Sequence, residues 1–298
     1  MSNNTGNGGL LGHPGMLAAG AAGLCSALLT LWAMRGMPLG GLLLWLTPLP
    51  IFLAGFAFGA RTALIAVAVA SVAVLFSTTT LGLAVFLAMF GVPTALISVT
   101  AMQPARMELS LPLALLGLWP VVVLGILAAS VTDIEGEMRE AVEMGVARMG
   151  ISLPDGMVAQ IAQVKAAAAG FWMALLMVGN GIAAQRLVTR QGLALHVTPS
   201  LDDVRLPGWY FPLPLVALVA WSAFGGAVAL SSLLMLLVPV FLLGVVGVHR
   251  RLRGRAGRIA FLAGFYVMML LFLQVMAPLM VGVGLFDQYR RRMTPPPT

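Results

Sequence analysis

Charged residues are scarce in this sequence. Lys, Arg, Asp and Glu together make up 9% of the 298 residues, whereas hydrophobic residues make up 60%. An ordinary soluble domain carries about a quarter charged residues, so the composition excludes an ordinary soluble domain. The chain has one cysteine, Cys25. A single cysteine excludes an internal disulfide and a thiolate metal cluster.

Catalytic motifs are also missing. The three histidines, His13, His196 and His249, lie in different polar segments, so we expect neither a metal site nor a nucleophile–base pair. No P-loop or G-x-S-x-G string occurs, and no acidic residue lies well inside an apolar run. The sequence therefore predicts a protein that is not an enzyme and that holds no cofactor and no metal.

What the chain does contain is a series of apolar runs about as long as a bilayer is thick. A hydrocarbon core of roughly 30 Å requires about 20 apolar residues in a helix. The runs predict an all-α transmembrane bundle of eight or nine spans, with spans one to five in residues 16–131 and spans six to nine in residues 166–286. The ninth span is expected from about Ile259 to Phe286. Residues 1–15 are predicted to be a disordered tail, and residues 287–298 a basic, Pro-rich tail.

The longest polar interruption, residues 132–165, has an amphipathic pattern. Ile134, Met138 and Val142 recur on one helical face, and acidic residues fill the other. Pro154 then opens a helix that could continue for about 50 Å, more than the hydrocarbon core needs. Its surplus is expected to pack against the first helix through Met157, Ile161 and Val164. The pattern predicts a small helical cap on one side of the membrane.

Arginine placement predicts the orientation. The net charge of +7 comes mostly from two clusters beside apolar runs, Arg250–Arg258 and Arg290–Arg292. Juxtamembrane arginines favour a role in topology over nucleic-acid binding. The first cluster should be cytoplasmic, which makes the cap extracytoplasmic. Nine simple crossings then leave the second cluster outside, so either the ninth span is not a simple crossing or one span is re-entrant.

The stretch Thr47-Pro48-Leu49-Pro50 interrupts the second span. Two prolines this close remove backbone donors and open or kink a helix at membrane depth. Broken helices expose backbone groups where they line a cavity, as in many transporter sites. The stretch therefore predicts either a ligand site, with Trp45 as a stacking wall, or only a bend.

Two amide side chains lie inside predicted spans. Asn180 is flanked by glycines in span six, and Gln274 lies in the middle of span nine. A buried amide requires a partner, and interhelical hydrogen bonds of this kind contribute about 1 kcal/mol. Each amide is therefore either interhelical glue or a ligand contact. As a ligand site, we expect Asn180 to share a cavity with the Thr47–Pro50 break.

Three motifs resemble a known family. They are the proline pair followed by Gly55, Gly59 and Arg61, the segment Leu206-Pro207-Gly208-Trp209, and the closing Gly284-Leu285-Phe286-Asp287-Gln288-Tyr289-Arg290. Together they resemble the YybS-like family of bacterial multi-pass membrane proteins. That family is grouped with the substrate-binding S-components of energy-coupling-factor transporters. The resemblance implies a role in small-solute uptake at a bacterial inner membrane.

Small-residue spacing adds a possible docking surface. Such spacing permits close helix approach, and the resemblance to S-components implies docking of a membrane partner subunit. The residues concerned are Ala18, Ala22, Ala66 and Ala70.

Two functions follow from these patterns. The first is a transport-related protein that binds or passes a small solute and depends on a partner subunit for energy. The alternative is a non-transporting membrane scaffold of envelope assembly.

Overall fold

The computed structural model describes residues 13–200, 202 and 204–293. In this part of the chain every regular element is helical, which confirms the predicted all-α class. The helices are α1 (Pro14–Met34), α2 (Gly40–Leu44), α3 (Pro48–Phe58), α4 (Ala60–Ser77), α5 (Thr80–Phe86), α6 (Val92–Ala101), α7 (Ser110–Ser130), α8 (Ile134–Arg148), α9 (Asp155–Arg190), α10 (Pro212–Phe224), α11 (Ala227–Arg251), α12 (Arg258–Leu271) and α13 (Leu273–Met293). A π-helical turn, Leu87–Gly91, joins α5 to α6.

Seven helical segments of the described residues are long and apolar enough to cross a membrane, judged by length and composition. Five of them match the five spans predicted in residues 16–131, and two, Asp155–Arg190 and Ala227–Arg251, overlap the region of predicted spans six to nine. Two further helical segments in that region, Gly208–Phe224 and Arg258–Leu271, are apolar but shorter. The total of eight or nine spans therefore stays a prediction.

The two predicted tails lie partly outside the described residues. Residues 1–12 and 294–298 are not among them. The neighbouring positions are helical, because α1 begins at Pro14 and α13 continues to Met293. Residues 287–293 thus belong to a helix and not to a tail.

The chain divides into two compact units, which are described separately. The first comprises Met1–Pro112 and Leu175–Thr198, and the second Leu113–Ala174 and Pro199–Thr298. The long helix α9 contributes its second half to the first unit and its first half to the second. The Thr47–Pro50 break belongs to the first unit.

Close packing of α1 on α4 holds the first unit together. A Cβ added to Gly23 would lie 2.5 Å from the carbonyl oxygen of Ala66, so the two backbones approach as only small residues allow. Ala66 and Ala70 are fully buried, and Ala22 is nearly so. Three of the four alanines proposed for packing or docking therefore pack inside the chain, and Ala18 alone is partly exposed.

In the second unit α8 packs on the first half of α9, as the amphipathic pattern predicts. Met138 and Val142 are buried, and Val142 packs with Val158 and Ala162. The predicted contact face of α9 is wrong, because the residues expected there are each at least 40% exposed: Met157, Ile161 and Val164. Apolar residues occupy several faces of α9 in this region, so periodicity alone does not select the buried face.

A carboxylate of α8 also caps α11. Glu135 Oε1 accepts a hydrogen bond of 2.6 Å from the backbone N–H of Ala227. The N-cap residue, Gly226, has no side chain that could satisfy this donor. The acidic helix is thus tied to the turn between α10 and α11. Its extracytoplasmic location stays a prediction.

A tyrosine stabilises α11 at its proline. Tyr210 is fully buried, and its hydroxyl donates a 2.9 Å hydrogen bond to the carbonyl of Leu236. This carbonyl lies three residues before Pro239, whose missing N–H leaves the neighbouring carbonyl of Met235 without its helical donor. A Cβ on Gly117 would overlap the Tyr210 hydroxyl, so a glycine is required at that position.

The predicted ninth span consists of two helices. α12 ends at Leu271 and α13 begins at Leu273, so Phe272 belongs to neither. With 14 residues, α12 is about 21 Å long, shorter than a hydrocarbon core of about 30 Å. The predicted ninth span, from about Ile259 to Phe286, is therefore interrupted at Phe272, in keeping with the alternative that it is not a simple crossing. The sequence stays apolar across Phe272, so its composition does not indicate the break between α12 and α13.

The helix α13 runs parallel to α11. A Cβ on Gly244 would overlap the backbone of Met280, and about two turns further along both helices Arg251 pairs with Asp287 at 2.6 Å. Residue numbers therefore increase in the same direction along α11 and α13. The α12–α13 hairpin consequently returns the chain to the arginine-bearing end of α11.

The close approach of α13 to α11 yields a test. A Cβ on Gly284 would overlap the carbonyl oxygen of Val240. We expect Gly284→Ala to lower the free energy of unfolding by about 1–3 kcal/mol, because overpacking forces the backbones apart. Thermal unfolding of the detergent-solubilised protein measures this.

The matched control lies on the same helix. A Cβ on Gly282 meets nothing within 4 Å, so Gly282→Ala should leave stability unchanged or raise it slightly, since alanine favours helix. Equal melting temperatures for the two variants would contradict the close contact.

Candidate functional site

The break between α2 and α3 leaves a backbone acceptor without its helical donor. Pro48 and Pro50 have no N–H. The N–H of Leu49 bonds the carbonyl of Leu46 at 3.0 Å and so does not serve the carbonyl of Trp45. A donor for Trp45 must therefore come from elsewhere in the fold.

Side chains of two other helices supply donors at the break. Asn180 Nδ2, on α9, donates to the carbonyl of Trp45 at 2.7 Å and to that of Leu176 at 2.8 Å. Ser26 Oγ, on α1, donates to the carbonyl of Thr47 at 2.8 Å. Asn180 thus reaches the break at the backbone of Trp45, two residues before Thr47, and the predicted cavity shared by Asn180 and the break stays a prediction. The first role of Asn180 is to bridge two helices.

Two oxygens at the break remain without hydrogen-bond partners. Thr47 Oγ1 and Asn180 Oδ1 are both buried and have no hydrogen-bond partner. Thr47 as a whole is fully buried, and Asn180 is 7% exposed. Such atoms are uncommon in folded proteins. The Asn180 Nδ2 group therefore has hydrogen-bond acceptors, whereas its Oδ1 atom has no donor.

The indole of Trp45 does not close off this region. Its side chain is 48% exposed, and the atom that meets Asn180 is the backbone carbonyl. Gln274 lies in the second unit, in the first turn of α13, and is exposed. The structure therefore does not bring Gln274 and Asn180 into one site within either unit. The ligand-binding roles of both residues stay predictions.

A groove of about 390 Å³ runs along α1, α3 and the end of α9 in the first unit. Small side chains of α1 and α3 leave this volume, because leucines at the same positions would fill it. The lining is Ala18, Ala21, Ala22, Cys25, Pro50, Leu53, Ala54, Ala57, Phe58, Leu187, Val188, Gln191 and Leu193. It is almost entirely apolar. Pro50, Ala18 and Ala22 are the predicted site residues that line it.

A second buried amide secures the chain beside the groove. Gln185 is 5% exposed, and its Nε2 donates to the carbonyl of His196 and to Thr198 Oγ1, both at 3.1 Å. The N–H of Leu195 bonds the carbonyl of Phe56 at 3.1 Å. The segment after α9 is thus held against α3. The sequence analysis missed Gln185, although an amide near the end of a span is a visible signal.

In the second unit an ion pair joins the ends of α11 and α13. Asp287 is 5% exposed and accepts from Arg250 at 2.9 Å and from Arg251 at 2.6 Å. A buried carboxylate requires such pairing. The sequence analysis placed Asp287 in a tail, because it follows the last apolar run and its partners lie in another segment.

No family model, no curated protein and no solved structure matches this chain. The resemblance to the YybS-like family therefore stays a prediction.

The bridge from Asn180 to the helix break can be tested by deletion. We expect Asn180→Leu to destabilise the protein by about 1–3 kcal/mol, because the carbonyl of Trp45 loses its donor in an apolar surrounding. Thermal unfolding in detergent measures the loss.

Ser71→Ala is the control, since the Ser71 hydroxyl bonds the carbonyl of Val67 in its own helix at 2.7 Å. A melting temperature for Asn180→Leu as high as that of Ser71→Ala would show that the bridge contributes nothing.

Proposed function

We propose that this chain is a multi-pass protein of a bacterial inner membrane that binds a small apolar solute in the groove along α1, α3 and α9. The groove carries the proposal, because its volume of about 390 Å³ falls in the range of about 300–1,000 Å³ that is usual for small-molecule sites. Its role would be that of a solute-binding subunit in transport.

The chemistry of the lining selects the class of solute. Alanine, leucine, valine and phenylalanine side chains dominate it, and Gln191 and Cys25 contribute the polar side chains. An apolar molecule loses no hydrogen bonds on entering such a groove, whereas a strongly polar one would. A mainly apolar solute with a single polar group fits this lining best.

Energy would have to come from elsewhere. The sequence contains no P-loop that could hold a nucleotide, and its spans contain no acidic residue well inside an apolar run that would suit a proton relay. Accumulating a solute would therefore depend on a partner subunit. Ala18 is the residue of the proposed docking set that is partly exposed.

The proposed orientation has Arg250–Arg258 on the cytoplasmic side and residues 132–165 outside. The parallel direction of α11 and α13 supports it, because Arg290 then lies at the same end of the second unit as Arg250–Arg258. The positive-inside rule consequently meets no conflict at the end of α13. A hairpin that enters and leaves on one side also supports eight crossings over nine.

One observation favours the alternative function, a membrane scaffold. Glu137, Glu140 and Glu143 are exposed on α8, and Glu143 pairs with the exposed Arg139 at 3.2 Å, which leaves this surface with an excess of acidic side chains. An exposed acidic face of this kind suits docking of a basic partner. Native mass spectrometry of the purified protein distinguishes the two functions, since a retained small molecule supports the first and a retained protein the second.

Filling the groove should remove the solute. Ala21 and Ala57 line the groove, and Ala21→Leu combined with Ala57→Leu adds bulk there. We expect the small-molecule adduct of the native protein, seen by native mass spectrometry, to fall at least about tenfold, because the occupied volume excludes the ligand.

The control is Ala68→Leu, at an exposed position of α4, which should keep the adduct. An adduct of equal intensity in all three proteins would rule out the groove as its site.

Cysteine labelling tests the orientation. In a Cys25→Ser background, Glu140→Cys should react with an impermeant maleimide in intact cells, whereas Arg253→Cys and Tyr289→Cys should react only after permeabilisation. All three positions are exposed. Labelling of Tyr289→Cys in intact cells would mean that α13 crosses the membrane, and the reverse pattern overall would invert the topology.

A further inference from the structure

The arginines around the turn between α11 and α12 are neutralised unequally. Arg250 and Arg251 share Asp287. Arg253 pairs with Asp202 at 3.2 Å. These three guanidinium groups therefore already have carboxylate partners within the second unit.

Arg255 and Arg258 differ from their neighbours. Among the described residues neither lies within ion-pair distance of an acidic side chain. Arg255 is exposed and Arg258 is half-buried. Arg255 lies on the turn, and Arg258 is the first residue of α12. Three positions thus separate two positive charges that have no carboxylate partner in the described part of the chain.

Exposed apolar side chains follow directly. Ile259 is 85% exposed and Phe261 is 64% exposed. Further along α12, Leu270 is 83% exposed. Ile259 and Leu270 lie on the same side of this short helix and Phe261 lies nearly opposite Ile259, so α12 presents hydrocarbon on both sides beside the two guanidinium groups.

We propose that Arg255 and Arg258 bind the phosphate of an anionic phospholipid whose acyl chains lie along the exposed face of α12. The guanidinium fork matches phosphate oxygens bidentately. A phospholipid is the partner that offers a phosphate and hydrocarbon within one turn of a helix. A nucleic acid or an acidic peptide would leave Ile259 and Phe261 facing water.

The charge balance favours an anionic lipid over a zwitterionic one. Two arginines without carboxylates leave two positive charges, and cardiolipin carries two phosphates whereas phosphatidylcholine has no net charge. Arginines beside a membrane helix attract anionic headgroups in this way. This site lies in the second unit, and the solute groove lies in the first, so neither proposal depends on the other.

The test titrates the full-length protein in detergent with cardiolipin or phosphatidylcholine and counts bound lipid by native mass spectrometry. The native protein should bind cardiolipin at lower concentration. Arg255→Gln combined with Arg258→Gln should raise the half-saturating cardiolipin concentration at least about tenfold. Binding of phosphatidylcholine should not change.

The control removes two charges elsewhere. Arg61 and Arg186 are exposed arginines of the first unit, and Arg61→Gln combined with Arg186→Gln should leave cardiolipin binding unchanged. An equal loss in both double variants would show that only net charge matters, and no loss in the first would place the lipid elsewhere. Either result overturns the proposal.

Inorganic phosphate separates the two possible sources of the phosphate group. At millimolar concentration it should not displace cardiolipin, because it contributes nothing to the contacts with Ile259 and Phe261. Displacement would identify a site for free phosphate and would also overturn the proposal. Arg255→Gln alone, at an exposed position, should weaken binding without affecting folding.

Discussion

Backbone groups that prolines leave unpaired must find partners inside the protein, because hydrocarbon offers none. Buried polar side chains lie beside proline-containing stretches in both units. Asn180 and Ser26 donate to the carbonyls of Trp45 and Thr47 at the α2–α3 break, and Tyr210 donates to the carbonyl of Leu236, three residues before Pro239 in α11. Each of these side chains comes from another part of the chain, so each bond joins separate segments. The helix breaks thus become attachment points.

Small residues on α1 serve two purposes on two faces of one helix. Ala19 and Gly23 face α4 and allow the backbones to approach closely. Ala18 and Ala21 face the other way and leave the groove open. A run of small residues therefore stabilises the first unit and also creates the space that we propose to hold a solute.

Ion pairs organise the charges at the ends of α11 and α13 in the second unit. Asp287 pairs with two arginines of α11 and so closes the α12–α13 hairpin against that helix. Asp202 pairs with a third, Arg253. In the described part of the chain Arg255 and Arg258 have no carboxylate partner, and they lie beside exposed apolar side chains. The paired arginines thus stabilise the fold, and the other two are the ones that we propose to bind lipid.

The sequence by itself determined the features that depend on local composition. The seven long apolar segments, the amphipathic α8 and the break at Thr47–Pro50 follow from runs, periods and prolines that a short window of the sequence displays. Tertiary structure alone decided which of several apolar faces of α9 meets α8, where the last apolar run breaks, and that Asp287 is buried rather than in a tail. These depend on partners distant in the chain, such as Arg250 and Arg251 for Asp287. No local pattern specifies such a partner, because an ion pair between distant residues contributes to stability only after the helices have packed.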